Sequence, residues 1–166
     1  MFAYRIATRE DLEQLWNRNI ADNADDPRWV RWKEEYIAYN EQGMAVTFAV
    51  IADGCPVGEG TLLLSPACKA VSWYPPLADG VRCGNVNALR IRPEYEGQGH
   101  ISHLMHMLEK YAASRGLTHL SIGVEAAQTR NLAIYLHWGY NTLVTTEVDE
   151  GELILYYEKN LKADCE

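Results

Sequence analysis

Apolar and polar positions along the chain change period several times, and each change marks an element. Phe2, Tyr4 and Ile6 alternate, which predicts a short strand. Thr8 followed by Asp11 reads as an N-cap with an acidic first turn, and Leu12, Leu15 and Trp16 continue it as a helical stripe. After the polar break from Asp22 to Asp26, Asp26-Pro27 restarts a helix with proline in its first turn. Trp29, Trp32, Tyr36 and Tyr39 lie along this helix, and Gly43 stops it. Residues 45–52 are β-rich, Asp53-Gly54 is a hairpin signal, and residues 56–64 form the return strand. Residues 65–84 read as a long loop with Ser65-Pro66, Pro75-Pro76 and two glycines, a length usually reserved for functional or mobile segments. A strand from Asn85 to Arg92 ends at Pro93. The helix from Gly97 to Arg115 carries Ile101, Leu104, Met105, Leu108, Tyr111 and Ala112 on one face, and Gly116 caps it. Leu120, Ile122 and Val124 alternate in a further strand, residues 130–138 form a short helix stopped by Gly139, and strands 142–148 and 152–158 flank Asp149-Glu150-Gly151. The order is β-α-α-β-β-β-α-β-α-β-β, a mixed α/β layer architecture.

The length of 166 residues predicts a single domain over 1–166. A hydrophobic fraction of 48% with 23% charged residues excludes a disordered chain. No apolar run approaches the roughly 18 residues of a membrane span, and the first residues lack the apolar core of a signal peptide. The expected compartment is therefore the cytoplasm, with Cys55, Cys68, Cys83 and Cys165 as reduced thiols, none in Cys-x-x-Cys spacing. A net charge of −8 argues against nucleic acid as a partner and favours cations, amines among them.

Glu96-Gly97-Gln98-Gly99-His100-Ile101-Ser102 joins a strand to a helix N-terminus. Free N–H groups and the helix dipole make such a turn suited to a diphosphate, and a tight turn with glycines at positive φ gives the same pattern. It is neither a dinucleotide fingerprint nor a P-loop, since the third glycine and the Gly-Lys-Ser/Thr step are missing. Tyr135 sits on an apolar helix face, where a core tyrosine is the plain alternative to a proton donor. Glu59 and Glu125, on strands, are the carboxylates able to act as a base, and a water held by Asn85 or Asn87 is the other option. His100, His103 and His106 repeat every three residues and drift about 60° per step on a helix, so no metal site is expected and they read as surface or turn-adjacent residues. Trp29 and Trp32 read as core aromatics or as the lining of an acceptor pocket.

These motifs resemble the GNAT superfamily, the acetyl-CoA-dependent N-acetyltransferases. Leu89-Arg90-Ile91-Arg92-Pro93 matches the family's apolar-x-apolar-x-Pro strand end, residues 96–101 match its phosphate turn, and Tyr135-x-x-x-Gly139-Tyr140 matches its helix end. Glu96 stands where Arg or Gln is usual, Ile101 where Gly or Ala is usual, Gln128 replaces an Asn, and Asn85 occupies a position that in many relatives holds a base glutamate. The resemblance implies a mixed central sheet whose fourth and fifth strands splay to admit pantetheine. It implies that Leu89 and Ile91 pair with the pantetheine, and that the N–H of Leu89 faces the thioester oxygen. Gly97, Gln98, Gly99, Ile101 and Ser102 would hold the pyrophosphate, with Gln128 also on the cofactor side. Tyr135 would protonate the departing thiolate, and Glu59 or Glu125 would deprotonate the amine. Acetyl-CoA is then the co-substrate and a small cationic amine the acceptor, with no metal, no nucleic acid and no membrane partner; a homodimer is compatible with this. Asp22, Asp25 and Asp26, and Glu147, Asp149, Glu150 and Glu152, are expected to form an acidic rim. A non-catalytic acyl-CoA-binding module and a protein N-terminal acetyltransferase remain as alternatives.

Overall fold

A computed structural model of the chain describes residues 1–162, and Cys165 lies outside them. The elements are β1 (Phe2–Ile6), α1 (Arg9–Asp22), α2 (Arg28–Glu41), β2 (Ala45–Ala52), β3 (Cys55–Leu63), β4 (Cys83–Ile91), α3 (His100–Ser114), β5 (His119–Glu125), α4 (Thr129–His137), β6 (Thr142–Asp149) and β7 (Glu152–Asn160). Their order is the expected one. They divide into two compact units, Met1–Leu63 with Ala88–Leu108, and Leu64–Asn87 with the residues from Glu109 onward.

In the first unit β1, β2 and β3 run antiparallel, with Phe2 opposite Ala52 and Phe48 opposite Gly60. The β2–β3 hairpin turns on Asp53 (φ 49°) and Gly54 (φ 85°), two successive left-handed residues as a two-residue hairpin requires. All eight residues of β2 are buried, which explains why Ala45–Ala52 reads as a continuous apolar run instead of an alternating one. β3 separates two environments. A Cβ on Gly60 would lie 3.2 Å from Leu108 Cδ1 and 3.0 Å from Leu89 Cδ1, so that face meets α3. Its neighbour Glu59 points the other way and meets Asn19 of α1. The Arg92 N–H donates to the Val57 carbonyl at 3.0 Å, fastening the end of β4 to β3. Helix α1 starts as expected, with Thr8 and Asp11 forming a reciprocal capping box. Asp11 is nonetheless buried, and Arg5 neutralises it.

In the second unit Cys83–Val86 pair in parallel with His119–Ile122. β5 pairs antiparallel with β7, and β7 with β6. β4 therefore begins at Cys83, two residues before the expected start. Its first pairs are made with a strand more than thirty residues downstream, which no local pattern reveals. The ladder with β5 ends at Val86, and Ala88 follows at φ 53°, a left-handed residue inside a strand. The long loop is packed: Cys68, Val71, Leu77 and Ala78 are buried, the last two in a 3₁₀ turn over Pro75–Ala78. Asn85 Nδ2 donates to Ser121 Oγ, and Ser121 Oγ donates to the Leu77 carbonyl, which closes a buried polar chain. Cys55 and Cys83 are free thiols, and burial pushes the Cys83 thiol up to about 12. No helix among the described residues is long and apolar enough to cross a membrane.

Gly80 is where this loop tolerates least. It sits at φ 75°, and an added Cβ would lie 2.1 Å from the Leu64 carbonyl oxygen. Gly80→Ala is expected to cost about 2–4 kcal/mol from left-handed strain and overpacking together. A urea unfolding midpoint unchanged from the parent would contradict this packing.

Candidate functional site

The turn ahead of α3 is built by backbone conformation. A 3₁₀ turn over Pro93–Tyr95 leads into Gly97 (φ 75°) and Gly99 (φ 86°). Both angles are incompatible with a right-handed helix, so α3 begins at His100 and not at Gly97 as its sequence suggested. A Cβ at either glycine would meet no atom within 4 Å, which leaves open space over the turn. The first N–H groups of the 15-residue α3 have no acceptor inside the helix and share the positive end of its dipole. Gly97, Gln98 and Gly99 are exposed, while Ile101 and Ser102 are half-buried. The turn fits a diphosphate. Glu96 is exposed, so its carboxylate is in solvent.

His100 fixes this turn from behind. Of the two expected readings, surface or turn-adjacent, His100 takes the second: it is buried, because Phe2 and Tyr4 of β1 cover its ring. Tyr4 OH lies 2.7 Å from His100 Nδ1, and Nε2 lies 3.2 Å from Gln98 Oε1. One tautomer satisfies both contacts: Tyr4 donates to Nδ1, and the Nε2–H donates to Gln98. His103 stacks on Tyr4 at 3.7 Å. Among the described residues no group of His, Cys, Asp and Glu could hold a metal ion.

The second feature is a cavity of about 200 Å³ on the α1 face of β3 and β4, with Asn19, Trp29, Glu59, Arg90 and Arg92 in its wall. The Glu59 side chain is almost wholly buried. Asn19 Nδ2 donates to its Oε2 at 3.0 Å. Its Oε1 lies 3.6 Å from Arg90 Nη1, and both atoms are buried without a hydrogen-bond partner. Burial pushes the Glu59 carboxyl above the usual range, opposed by the Arg90 charge and by the Asn19 and Arg90 contacts. The Arg90 guanidinium is held over the Trp29 ring at 4.9 Å and the Trp16 ring at 5.4 Å. Trp29 packs on Trp16 and Trp32 and also lines the cavity. Of the three acids expected at this end, Asp22 pairs with Arg18 and Asp26 with Arg28, while Asp25 is exposed.

In the second unit the ring of Tyr135 is partly buried and lies 6.0 Å from the Trp138 ring. Its hydroxyl makes no hydrogen bond among the described residues, unlike that of an ordinary core tyrosine, and burial raises its pKa. Glu125 is half-exposed and accepts from Gln128 Nε2 at 3.3 Å, while Gln128 Oε1 accepts from Asn131. Asn85 is committed to Ser121. Leu89 and Ile91 follow the end of the β4–β5 ladder, with side chains turned towards Gly60 and Gly58. Sequence reasoning missed Asn19 and Arg90. A charged residue between Leu89 and Ile91 in an otherwise apolar strand end is the signal that could have found Arg90.

A family model described as acetyltransferase (GNAT) family matches residues 8–140. Solved structures share the fold over nearly the whole chain. A paiA N-acetyltransferase from Thermoplasma acidophilum in complex with coenzyme A is 18% identical with a TM-score of 0.63, covering 96% of this chain and 99% of that one. The yncA structure from Salmonella typhimurium, with its cofactor acetyl-CoA, is 13% identical with a TM-score of 0.69, covering 96% and 94%. An aminoglycoside 6'-acetyltransferase type Ii is 14% identical with a TM-score of 0.73, covering 96% and 97%. No curated protein matches the chain in sequence.

Proposed function

Because the chain belongs to the acetyltransferase (GNAT) family, we propose that it transfers the acetyl group of acetyl-CoA to a primary amine of a small molecule that arrives cationic through its ammonium group. The observation that carries this reading is the buried Glu59 carboxylate, with one oxygen that accepts no hydrogen bond, in the wall of a small cavity. A cavity of about 200 Å³ is smaller than a drug-sized site of about 300–1,000 Å³, which favours a small acceptor over a polypeptide N-terminus. The net charge of −8 and the acids of the β6–β7 hairpin support a cationic nitrogen, and one fold neighbour is an aminoglycoside 6'-acetyltransferase.

Bound acetyl-CoA supplies a thioester open to attack by an amine, with a thiolate as leaving group. The turn from Gly97 to Ser102 holds the diphosphate through main-chain N–H groups, and the Leu89 N–H serves the thioester oxygen. Glu59 takes the proton from the ammonium. At an amine pKa of about 10.4, only about one molecule in a thousand is neutral near pH 7.4, so a base with a raised pKa lowers a real barrier. Tyr135 gives its proton to the thiolate, since a phenol with a raised pKa is fully protonated at pH 7. Glu125 is the lesser candidate for base, because Gln128 holds it at a half-exposed position. On this reading the protein is a single-domain cytoplasmic enzyme, and the family match running through both units supports one working domain.

Calorimetry with CoA and with acetyl-CoA tests the cofactor side. Similar affinities are expected, because the turn carries much of the attraction. No binding of either at millimolar concentration would overturn the reading.

A further inference from the structure

The charges that line the cavity do not match a simple cation. Three guanidinium groups (Arg18, Arg90, Arg92) face two carboxylates (Asp22, Glu59). Arg18 and Asp22 cancel, with Arg18 Nε 3.1 Å from both oxygens of Asp22. Arg90 and Glu59 lie 3.6 Å apart and leave a buried donor and a buried acceptor unsatisfied, side by side. Arg92 is half-buried, and its side chain has no ion-pair or hydrogen-bond partner among the described residues. A cationic amine entering here would satisfy Glu59 and leave two guanidinium groups uncompensated. Arg90 Nη1 is buried although about a third of its side chain is exposed, and leaving that donor unpaired is costly, which favours a ligand with an acceptor of its own.

We infer that the acceptor carries a carboxylate beside its reacting amine, as an α-amino acid does, with the nitrogen at Glu59 and the carboxylate on Arg90 and Arg92. The inference rests on the proposed amine acetylation and narrows its substrate class. In an α-amino acid the two charged groups are bonded to one carbon, so they lie next to each other as Glu59 and Arg90 do, in the opposite sense. Arg90 is suited to the task. Trp16 and Trp29 occupy its faces and hold the planar fork in place, and its in-plane N–H groups are the geometry that reads a carboxylate. The ligand's carboxylate offsets the charge its own ammonium brings, so the cavity keeps the single excess cation it has when empty, where a simple amine would raise it to two. When Glu59 takes the ammonium proton, the nitrogen becomes a neutral nucleophile while the carboxylate stays anchored. The anchor therefore persists through the step in which the nitrogen loses its charge.

The test pairs each of the common L-amino acids with its decarboxylated amine, each offered with acetyl-CoA. Thiol release and product mass are read for both, and a thermal-shift titration without acetyl-CoA reads binding alone. For at least one pair the amino acid is expected to have a kcat/KM about 10–150-fold above its amine, the range of one charge-assisted hydrogen bond. It should also raise Tm where the amine does not. Arg90→Lys keeps the charge and loses the fork, and Arg92→Gln removes the excess cation from a half-buried position where the fold tolerates it. Both should raise KM for the amino acid more than for the amine and so erase its advantage. Decarboxylated amines acetylated as well as the amino acids would overturn the inference and leave amine acetylation standing. CoA binding with no acetylation of either set, and no Tm shift by amino acids, would overturn both.

Discussion

Replacing Glu59 by glutamine is expected to lower kcat by about 10²–10⁴-fold, the usual contribution of a positioned general base, with little change in acetyl-CoA affinity. The pH profile gives the sharper signature. Burial holds the Glu59 carboxyl above its ordinary range, so kcat/KM of the parent should fall at low pH with a limb above the usual carboxylate value of about 4.3. In Glu59→Gln that limb should disappear. The stability consequence has a definite sign. A carboxyl whose folded pKa is raised favours folding most below its unfolded pKa, and that benefit is lost as pH rises through the folded value. The parent should therefore lose stability, relative to Glu59→Gln, across the window between the ordinary and the raised pKa. Urea titrations of both proteins across that window measure it. An unchanged kcat would shift the base to Glu125 or to water.

Tyr135→Phe should lower kcat by a similar factor of about 10²–10⁴, if protonation of the thiolate limits turnover. Burial raises the phenol, so the parent should keep its activity to a pH above the ordinary tyrosine value of about 10 before a basic limb sets in. The acetyl-CoA dissociation constant should hold, because the ring and its packing beside Trp138 remain. A variant with full activity would show that Tyr135 only packs.

Much of this fold was legible because its signals are local. Thr8 makes the predicted N-cap ahead of Asp11, Asp53-Gly54 makes the predicted hairpin, and the apolar stripe of α3 becomes Leu104, Met105, Leu108 and Ala112 in the core. What was not legible is non-local. β4 starts at Cys83 because of partners on β5, and His100 is buried because β1 folds over it. The site divides along the same line. The glycine turn is a motif of consecutive residues and could be read directly. The pairing of Glu59 with Arg90 and Asn19 joins three elements far apart in the chain, so the sequence offered Glu59 as one of two carboxylates and did not offer Arg90 at all. The acidic rim is a different case. Composition suggested an acidic rim at Asp22, Asp25 and Asp26, and an arginine cancels Asp22 and Asp26 but not Asp25.

The most direct test of the account is to incubate the protein with acetyl-CoA and a panel of small primary amines that includes amino acids, and to follow thiol release and product mass together. The account predicts stoichiometric CoA release and an amine heavier by one acetyl group, with the parent protein and not with Glu59→Gln. Tight CoA binding with no thiol released above background from any amine would contradict it, and would identify the chain as an acyl-CoA-binding module without catalysis.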